Sequence, residues 1–207
     1  MRIFLTVLVL IFSLQSWTKA DDIGDFQIEG MSIGDSLLDY FSEELIEKEK
    51  NSPYVFYYKN NKFVDLGIGD GKDFFLKKKL EVYYDVGVTV KPNDKKFKIY
   101  AIDGRLFCID DINICMSKKE NIVSELIDFF GEEANHETFE SNHAFDKTGN
   151  SKTYNTTFFF KSHDDMVRVT VYDWSEKMSD ENEYYDNLKV EIASEEFINF
   201  MENEAYK

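Results

Sequence analysis

Proline and cysteine are scarce in this chain, and both shortages limit how it can be organised. Only 2 of its 207 residues are proline and only 10 are glycine. No run rich in proline, serine or glycine marks a linker, so the sequence favours units that follow each other directly. The 2 cysteines are accompanied by no second pair of Cys or His residues at ligand spacing. This argues against a zinc site built from two ligand pairs.

Positive charge is also in short supply. The chain has 24 Lys and Arg residues against 40 Asp and Glu, which gives a formal net charge of -16 at pH 7. Binding to nucleic acid requires neutralisation of phosphates, so this balance argues against a nucleic-acid partner. It equally disfavours anionic membrane surfaces and suits a basic partner. A hydrophobic content of 43% with 16% aromatic residues supports a folded core.

One apolar run stands out, Ile3–Leu14, and it is too short to span a bilayer. It follows Arg2 and precedes Thr18–Ala20, so residues 1–20 are typical of a secretory signal peptide. No cysteine directly follows the run, which argues against a lipid-anchored precursor. We expect a periplasmic or secreted product without a membrane span after cleavage. Retention of the segment as an N-terminal anchor is the alternative.

A pattern in Phe26–Glu44 recurs in Asn113–Glu133 once Lys118–Asn121, about one helical turn, is skipped. The apolar positions, four residues apart in each copy, are Ile33, Leu37, Phe41 and Ile122, Leu126, Phe130. Side chains four apart lie on one face of a helix, so the pattern predicts two equivalent helices with buried leucines. Asp39 and Asp128 should point away from the apolar stripe.

Alternating aromatic and β-branched residues follow each copy, as in Leu80–Val90, and predict antiparallel strands. Asp103-Gly104 predicts a hairpin turn, and Ser194 begins a short C-terminal helix. The predicted class is therefore α+β. Residues 21–109 and 110–207 should form two repeated units, each a helix followed by an antiparallel sheet.

Two resemblances attach to these residues. The short helix that follows Gly30-Met31-Ser32, used twice, is similar to the tandem fold of the β-lactamase inhibitor protein and of small outer-membrane assembly lipoproteins. That resemblance implies binding to other proteins, and the four-residue insertion in the second copy departs from it. The whole chain, especially GMSIGDSLLDYF and the closing LKVEIASEEFINFMENEAYK, resembles an uncharacterised family of exported proteins from marine bacteria. The second resemblance implies export and no particular activity.

Cys108 and Cys115 are close in sequence and would be exported to an oxidising compartment. An even number of cysteines in that setting predicts a disulfide. The bond would join the end of a strand to the start of the second helix. Two free buried thiols are the alternative.

Catalytic motifs are weak. Gly34–Leu37 spells the nucleophile block of GDSL-type esterases, with Ser36 as the nucleophile. Those enzymes also need an Asp-x-x-His base, and no such motif occurs in the chain. Asp146–Gly149 matches the phosphorylated aspartate of P-type pumps and is interpreted as a chance match. We therefore predict no catalytic residue.

Two segments have some features of metal sites. His136–His143 contains two His and two Glu residues, but their spacing departs from His-Glu-x-x-His. Asp65–Asp73 is rich in Asp and Gly, but it departs from the calcium-loop pattern. We predict no resident metal and no cofactor, with a solvated loop and a tight glycine-rich loop as the respective interpretations.

The acidic segment Asp173–Asp186, predicted to be a loop, is the strongest candidate for a binding surface, because aromatic residues within acid can form a hot spot for a basic partner. The candidate binding residues are Trp174, Tyr184, Tyr185, Asp180 and Glu183. The alternative is that Trp174 caps the core and the acids are merely solvated. The sequence thus favours a non-enzymatic module that binds a protein or a small ligand. An esterase using Ser36 and a small-ligand carrier are the alternatives.

Overall fold

The computed structural model describes residues 23, 26–53, 55–109 and 111–205, so the predicted signal segment lies outside the described residues. The α-helices in these ranges are α1 (Glu43–Lys50), α2 (Ile112–Phe130), α3 (Glu176–Asn182) and α4 (Glu195–Asn203). The strands are β1 (Phe56–Tyr57), β2 (Val64–Gly69), β3 (Leu76–Lys77), β4 (Asp85–Val90), β5 (Ile99–Phe107), β6 (Ala134–Asn142), β7 (Lys152–Phe160), β8 (Met166–Asp173) and β9 (Asn187–Ala193). Antiparallel pairing dominates, which confirms the α+β class.

The chain divides into two compact units, Met1–Ile102 and Asp103–Lys207. The division falls inside β5, whereas the boundary expected from the sequence lies between residues 109 and 110. β5 runs without interruption through Asp103 and Gly104, so the predicted hairpin at these residues is wrong.

In the first unit, β2 is flanked by β1 and β4 in antiparallel orientation, and β3 adds a short parallel pair. The register sets Leu66 opposite Val88 and Ile68 opposite Val86, and all four side chains are fully buried. α1 packs against β2 and β3 and buries Ile46. The alternating apolar residues of the two strands therefore form the core of this unit.

The first predicted helix does not form as expected. Gly30 and Gly34 have φ angles of 78° and 92°, a region that an α-helix cannot include. Leu37–Asp39 forms only a short 3₁₀ turn, and α1 begins after its N-cap residue Ser42. Leu37 is nevertheless fully buried. The apolar spacing thus predicted burial correctly but not the local structure.

In the second unit, β6, β7, β8 and β9 form an antiparallel meander in chain order. α2 packs against β8 and β9 and buries Leu126 and Phe130. The Asp111 carboxylate caps this helix by accepting from the Asn113 N–H at 2.9 Å. α4 confirms the predicted C-terminal helix.

The predicted disulfide is confirmed. Cys108 and Cys115 are bonded, with 5.9 Å between their Cα atoms. Cys108 directly follows β5 and Cys115 lies in the first turn of α2. The bond therefore fixes the start of the longest helix in the described chain, as expected from the spacing.

The internal repeat is not confirmed. Leu37 and Leu126 are both buried, and Asp39 and Asp128 are both exposed, as the spacing predicts. However, Leu37 lies in a 3₁₀ turn while Leu126 lies within the 19-residue α2. The two segments therefore share a burial pattern but not a local structure.

Candidate functional site

Five aromatic rings form a contiguous group just after β8. We call this group, which comprises His143, Phe145, Tyr172, Trp174 and Tyr184, the Trp174 cluster. The ring centroid of Trp174 lies 4.2 Å from that of His143 and 4.6 Å from that of Tyr184. Tyr172 is nearly parallel to Trp174, with 6.1 Å between the centroids. Phe145 extends the cluster on the far side of His143 and is 64% exposed. The cluster thus combines mutual ring packing with exposed aromatic surface.

The Asp146 carboxylate holds these segments together. It accepts hydrogen bonds from the N–H and hydroxyl of Thr148 at 2.9 and 2.6 Å, and from those of Ser151 at 2.9 and 2.7 Å. The hydroxyl of Ser175, the N-cap of α3, donates at 3.0 Å. These bonds, that of the Thr148 hydroxyl first, hold the pKa of Asp146 well below its usual value. One carboxylate therefore joins the loop after β6 to the residue that follows Trp174.

Three titratable groups near the rings have shifted pKa values. The main-chain N–H of Trp174 donates to Asp186 Oδ1 at 2.8 Å. Burial raises the pKa of Asp186 and of Asp173. Burial lowers the pKa of His143, whose Nδ1 accepts from the Phe145 N–H at 3.2 Å. The lowered pKa favours the neutral form of His143, whose ring contributes aromatic surface to the cluster.

The three aromatic residues proposed from the sequence do not all lie together. Trp174 and Tyr184 are in ring contact within the cluster. Tyr185 instead packs edge-on against Phe107, with 6.4 Å between the centroids. Tyr185 is still partly exposed, so it lies on a neighbouring surface outside the cluster.

One of the two proposed acids lies on α3 and the other directly follows this helix. The predicted loop Asp173–Asp186 contains α3, so that part of the prediction is wrong. Asp180 is exposed on α3. Glu183 ends the helix in a left-handed conformation, with φ of 57°. Both carboxylates therefore face solvent close in sequence to Tyr184.

A second candidate is a groove of about 470 Å³ between α2 and strands β6 and β7. α2 packs against β8 and β9, which leaves space between this helix and the outer strands. Apolar side chains line much of it: Met116, Val123, Ile127 and Tyr154. Phe139 also borders the groove, but its side chain lies on the face of β6 opposite to those of Thr138 and Glu140. The polar lining residues are Lys119, Glu120, Ser124, Thr138, Glu140 and Thr156. The volume is within the range of small-molecule sites.

Lys119 is a buried cation in the lining of this groove, only 7% exposed. Its Nζ donates to Thr156 Oγ1 at 2.7 Å, and that oxygen lies 3.0 Å from the hydroxyl of Thr138. Within the described part of the chain, no carboxylate forms an ion pair with Lys119. Burial lowers the pKa of Lys119, and the charge of Glu120 opposes this shift. The groove therefore combines apolar walls with an ammonium that has few partners.

Ser36, the candidate nucleophile, has a structural hydrogen-bonding role. Its hydroxyl donates to the Lys96 carbonyl at 2.6 Å and accepts from the Leu38 N–H at 3.3 Å. The hydroxyl hydrogen is thus directed at a main-chain oxygen. An activated nucleophile would donate it to a basic side chain instead.

The two weak metal motifs do not gather ligands. His136 and Glu140 lie on one face of β6 and Glu137 on the other, because side chains alternate along a strand. This segment is a strand and not the loop expected from its composition. Across the residues that the structure describes, no group of three or more His, Cys, Asp or Glu side chains could hold a metal ion.

The sequence alone does not identify three residues of the Trp174 cluster and the groove: Lys119, His143 and Asp146. Lys119 does carry a signal, because it lies four residues after Cys115 and seven before Leu126, on the apolar face of α2. A lysine on that stripe indicates a buried cation. His143 and Asp146 are far from Trp174 in sequence, and no local pattern indicates that they meet it.

Comparisons of the chain with protein-family models, curated proteins and solved structures give no significant match. The resemblances to the exported marine family and to the tandem inhibitor fold therefore stay predictions. None of the helices in the described ranges is long and apolar enough to cross a membrane.

Proposed function

We propose that this protein is an exported, non-enzymatic binding module, acting in the periplasm or outside the cell, and that the Trp174 cluster contacts a basic protein partner. The observation that carries the proposal is the fixed array of rings centred on Trp174, with Phe145 and Tyr184 exposed. Aromatic residues dominate binding hot spots because they present a large contact area with little conformational freedom to lose.

The array is preorganised before any partner binds. Asp146 fixes the loop that carries His143 and Phe145, and its bond to Ser175 fixes the segment after Trp174. The Trp174 main chain is held separately by Asp186. A contact surface that is already ordered loses less entropy on association, which favours affinity.

The charge around the rings indicates the kind of partner. The exposed acids on and just after α3 are Glu176, Asp180, Glu181 and Glu183. A basic partner would be attracted by this charge. An Arg or Lys of the partner could then lie over the Trp174 ring in a cation–π contact.

The resemblance to the tandem inhibitor fold implies the same function. If the two helix-and-strand units are repeats, they resemble exported proteins that work by binding other proteins. The proposal does not depend on the repeat, since the Trp174 cluster lies wholly within the second unit.

Capture of proteins from the periplasmic and secreted fractions of the producing cell tests the role of the rings. We expect wild type to retain a basic protein and Trp174→Ala to lose it. Tyr84→Ala is the matched control, because Tyr84 is 68% exposed in the first unit. Equal capture by wild type and Trp174→Ala would contradict the proposal.

Charge reversal tests the contribution of the acids. The double variant Asp180→Lys/Glu183→Lys should weaken capture and reduce its sensitivity to salt, because it removes attraction for a basic partner. A single reversal at Glu202, exposed on α4, is the control and should leave capture unchanged. Retention of full salt-sensitive capture by the double variant would show that these acids do not face the partner.

The groove at Lys119 favours a second candidate function, the small-ligand carrier. Its volume of about 470 Å³ and its apolar walls suit a small molecule. Native mass spectrometry of protein purified from its own compartment would reveal a retained ligand. The esterase alternative is tested by Ser36→Ala against a panel of esters. Loss of a turnover that wild type performs would replace the binding-module proposal by a hydrolase.

A further inference from the structure

We propose that the groove between α2 and strands β6 and β7 binds a small carboxylic acid with an apolar body, whose carboxylate pairs with Lys119. The inference rests on the carrier function and is independent of the surface around Trp174. It is carried by the position of one buried ammonium at an otherwise largely apolar groove.

The ammonium of Lys119 has more hydrogen-bonding capacity than the protein uses. A lysine ammonium has three donors, and the acceptor of Lys119 is the Thr156 hydroxyl at 2.7 Å. A buried cation without a counter-charge is costly, so a ligand anion that restores the pair is favoured. Thr138 lies 3.0 Å from Thr156 and offers the carboxylate a second hydroxyl.

The acids of the groove do not supply this counter-charge. The Glu140 carboxylate lies 3.3 Å from the ammonium of Lys152 and forms an ion pair with it. Glu120 is exposed, and its interaction with Lys119 is not close enough to form an ion pair. The position beside Lys119 is therefore suited to an anion brought by a ligand.

The rest of the groove suits an apolar body. Met116, Val123 and Ile127 recur along one side of α2, over a length of about 16 Å at the rise of an α-helix. Ile127 is large, apolar and exposed. An aliphatic or aromatic chain that extends from the carboxylate would cover these side chains, which is favourable in water.

Isothermal titration of the folded protein with three probes of one chain length tests the proposal. The probes are decanoate, decanol and decyltrimethylammonium, each below its micelle-forming concentration. We expect decanoate to bind about tenfold tighter than decanol, because one charge-assisted contact is gained. Decyltrimethylammonium should bind most weakly. Equal binding of all three, a preference for the cation, or no binding would overturn the proposal.

Two variants assign the preference to the groove. Lys119→Met should remove the advantage of decanoate over decanol, while Lys118→Met, the same charge change one residue away and outside the groove lining, should keep it. If Lys119→Met does not fold, Ser124→Phe gives an independent result. Ser124 is an exposed residue of the lining, so the added ring should block all three probes. Undiminished decanoate binding by Ser124→Phe would place the site elsewhere and overturn the proposal.

A third variant separates this inference from the partner surface. Trp174→Ala should bind decanoate as wild type does, since Trp174 is not part of the groove lining. Loss of decanoate binding in Trp174→Ala alone would show that the ligand occupies the Trp174 cluster, and it would overturn the groove proposal.

Discussion

Asp146 and Lys119 are both buried charged side chains of the second unit, and they differ in how their charges are satisfied. The Asp146 carboxylate accepts five hydrogen bonds from Thr148, Ser151 and Ser175. Among the described residues, the Lys119 ammonium donates to Thr156 alone. A fully hydrogen-bonded charge fixes its surroundings, whereas a sparsely bonded one retains the capacity to bind. The first therefore supports a surface and the second offers a site.

The two regions also differ in shape. The Trp174 cluster leaves Phe145 and Tyr184 exposed, while its polar anchor, Asp146, is buried. The groove at Lys119 is a recess with apolar walls. A protein partner suits the first, and a small molecule suits the second.

The largest effect is expected at the helix that forms one wall of the groove. Leu126 is 5% exposed and lies against the core of the second unit. Leu126→Ala should lower the free energy of unfolding by about 2–5 kcal/mol, because it removes buried methyl groups and leaves a cavity. Urea denaturation measures this difference. Asp128→Ala, an exposed change on the same helix, should stay within about 0.5 kcal/mol.

The disulfide should contribute somewhat less. It closes a short loop, with a sequence separation of 7 between Cys108 and Cys115, and fixes the start of α2. Replacing both cysteines by serine should lower the free energy of unfolding by at most about 2–3 kcal/mol. Denaturation under non-reducing conditions gives the value. Unchanged stability would show that α2 is positioned without the bond.

Asp146→Asn tests how much the hydrogen-bonded Asp146 carboxylate contributes to stability. The pKa of Asp146 is lowered in the folded protein. Its stabilisation is therefore present above the unfolded pKa of about 3.9 and is lost as pH falls through the folded value. Asparagine keeps one acceptor oxygen, so we expect a loss of several degrees in Tm at pH 7. The difference from wild type should shrink in acid below about pH 4.

A matched variant shows whether the effect belongs to the hydrogen-bond network. Asp180→Asn removes the same charge from an exposed position on α3, and its Tm should match that of wild type. If Asp146→Asn and Asp180→Asn behave alike, Asp146 does not anchor the cluster.

The smallest effect on stability is expected for Lys119→Met. Unlike the preceding variants, it should not lower the free energy of unfolding. Burial lowers the pKa of Lys119. The charged, buried ammonium therefore destabilises the folded protein at pH values below its folded pKa. This destabilisation is relieved as pH rises through that value towards the unfolded pKa of about 10.4. At pH 7 the variant should be as stable as wild type or slightly more stable. A loss of more than about 1 kcal/mol in denaturation would show that the cation is well satisfied.

Part of this structure could be predicted from local sequence. The spacing of Leu37 and Leu126 from their apolar neighbours predicts burial, because burial depends on which residues share a side. It does not distinguish α2 from a 3₁₀ turn, since that also depends on Gly30 and Gly34, which adopt positive φ. The disulfide was predictable because the two cysteines lie only 7 positions apart in sequence, one just after β5 and the other in the first turn of α2.

Other features depend on strand pairing, which local patterns do not determine. Asp103-Gly104 has the strongest hairpin preference in the chain, yet it lies within β5, where continuous pairing outweighs the preference of two residues. The Trp174 cluster depends on the loop that joins β6 to β7. This loop is closed by a hydrogen bond from the His143 N–H to the Ser151 carbonyl at 2.9 Å. Only Trp174 and Tyr184 of that cluster could be proposed from their shared acidic segment.

Photo-crosslinking tests the central claim, that the Trp174 cluster is a partner-binding surface. Benzoylphenylalanine would replace Tyr184, which is in the cluster, or Tyr84, which is more exposed and lies in the other unit. After irradiation in the envelope and secreted fractions, mass spectrometry identifies any adducts. We predict one basic protein attached at position 184 and absent at position 84. No adduct at position 184, or the same adducts at both positions, would contradict the claim.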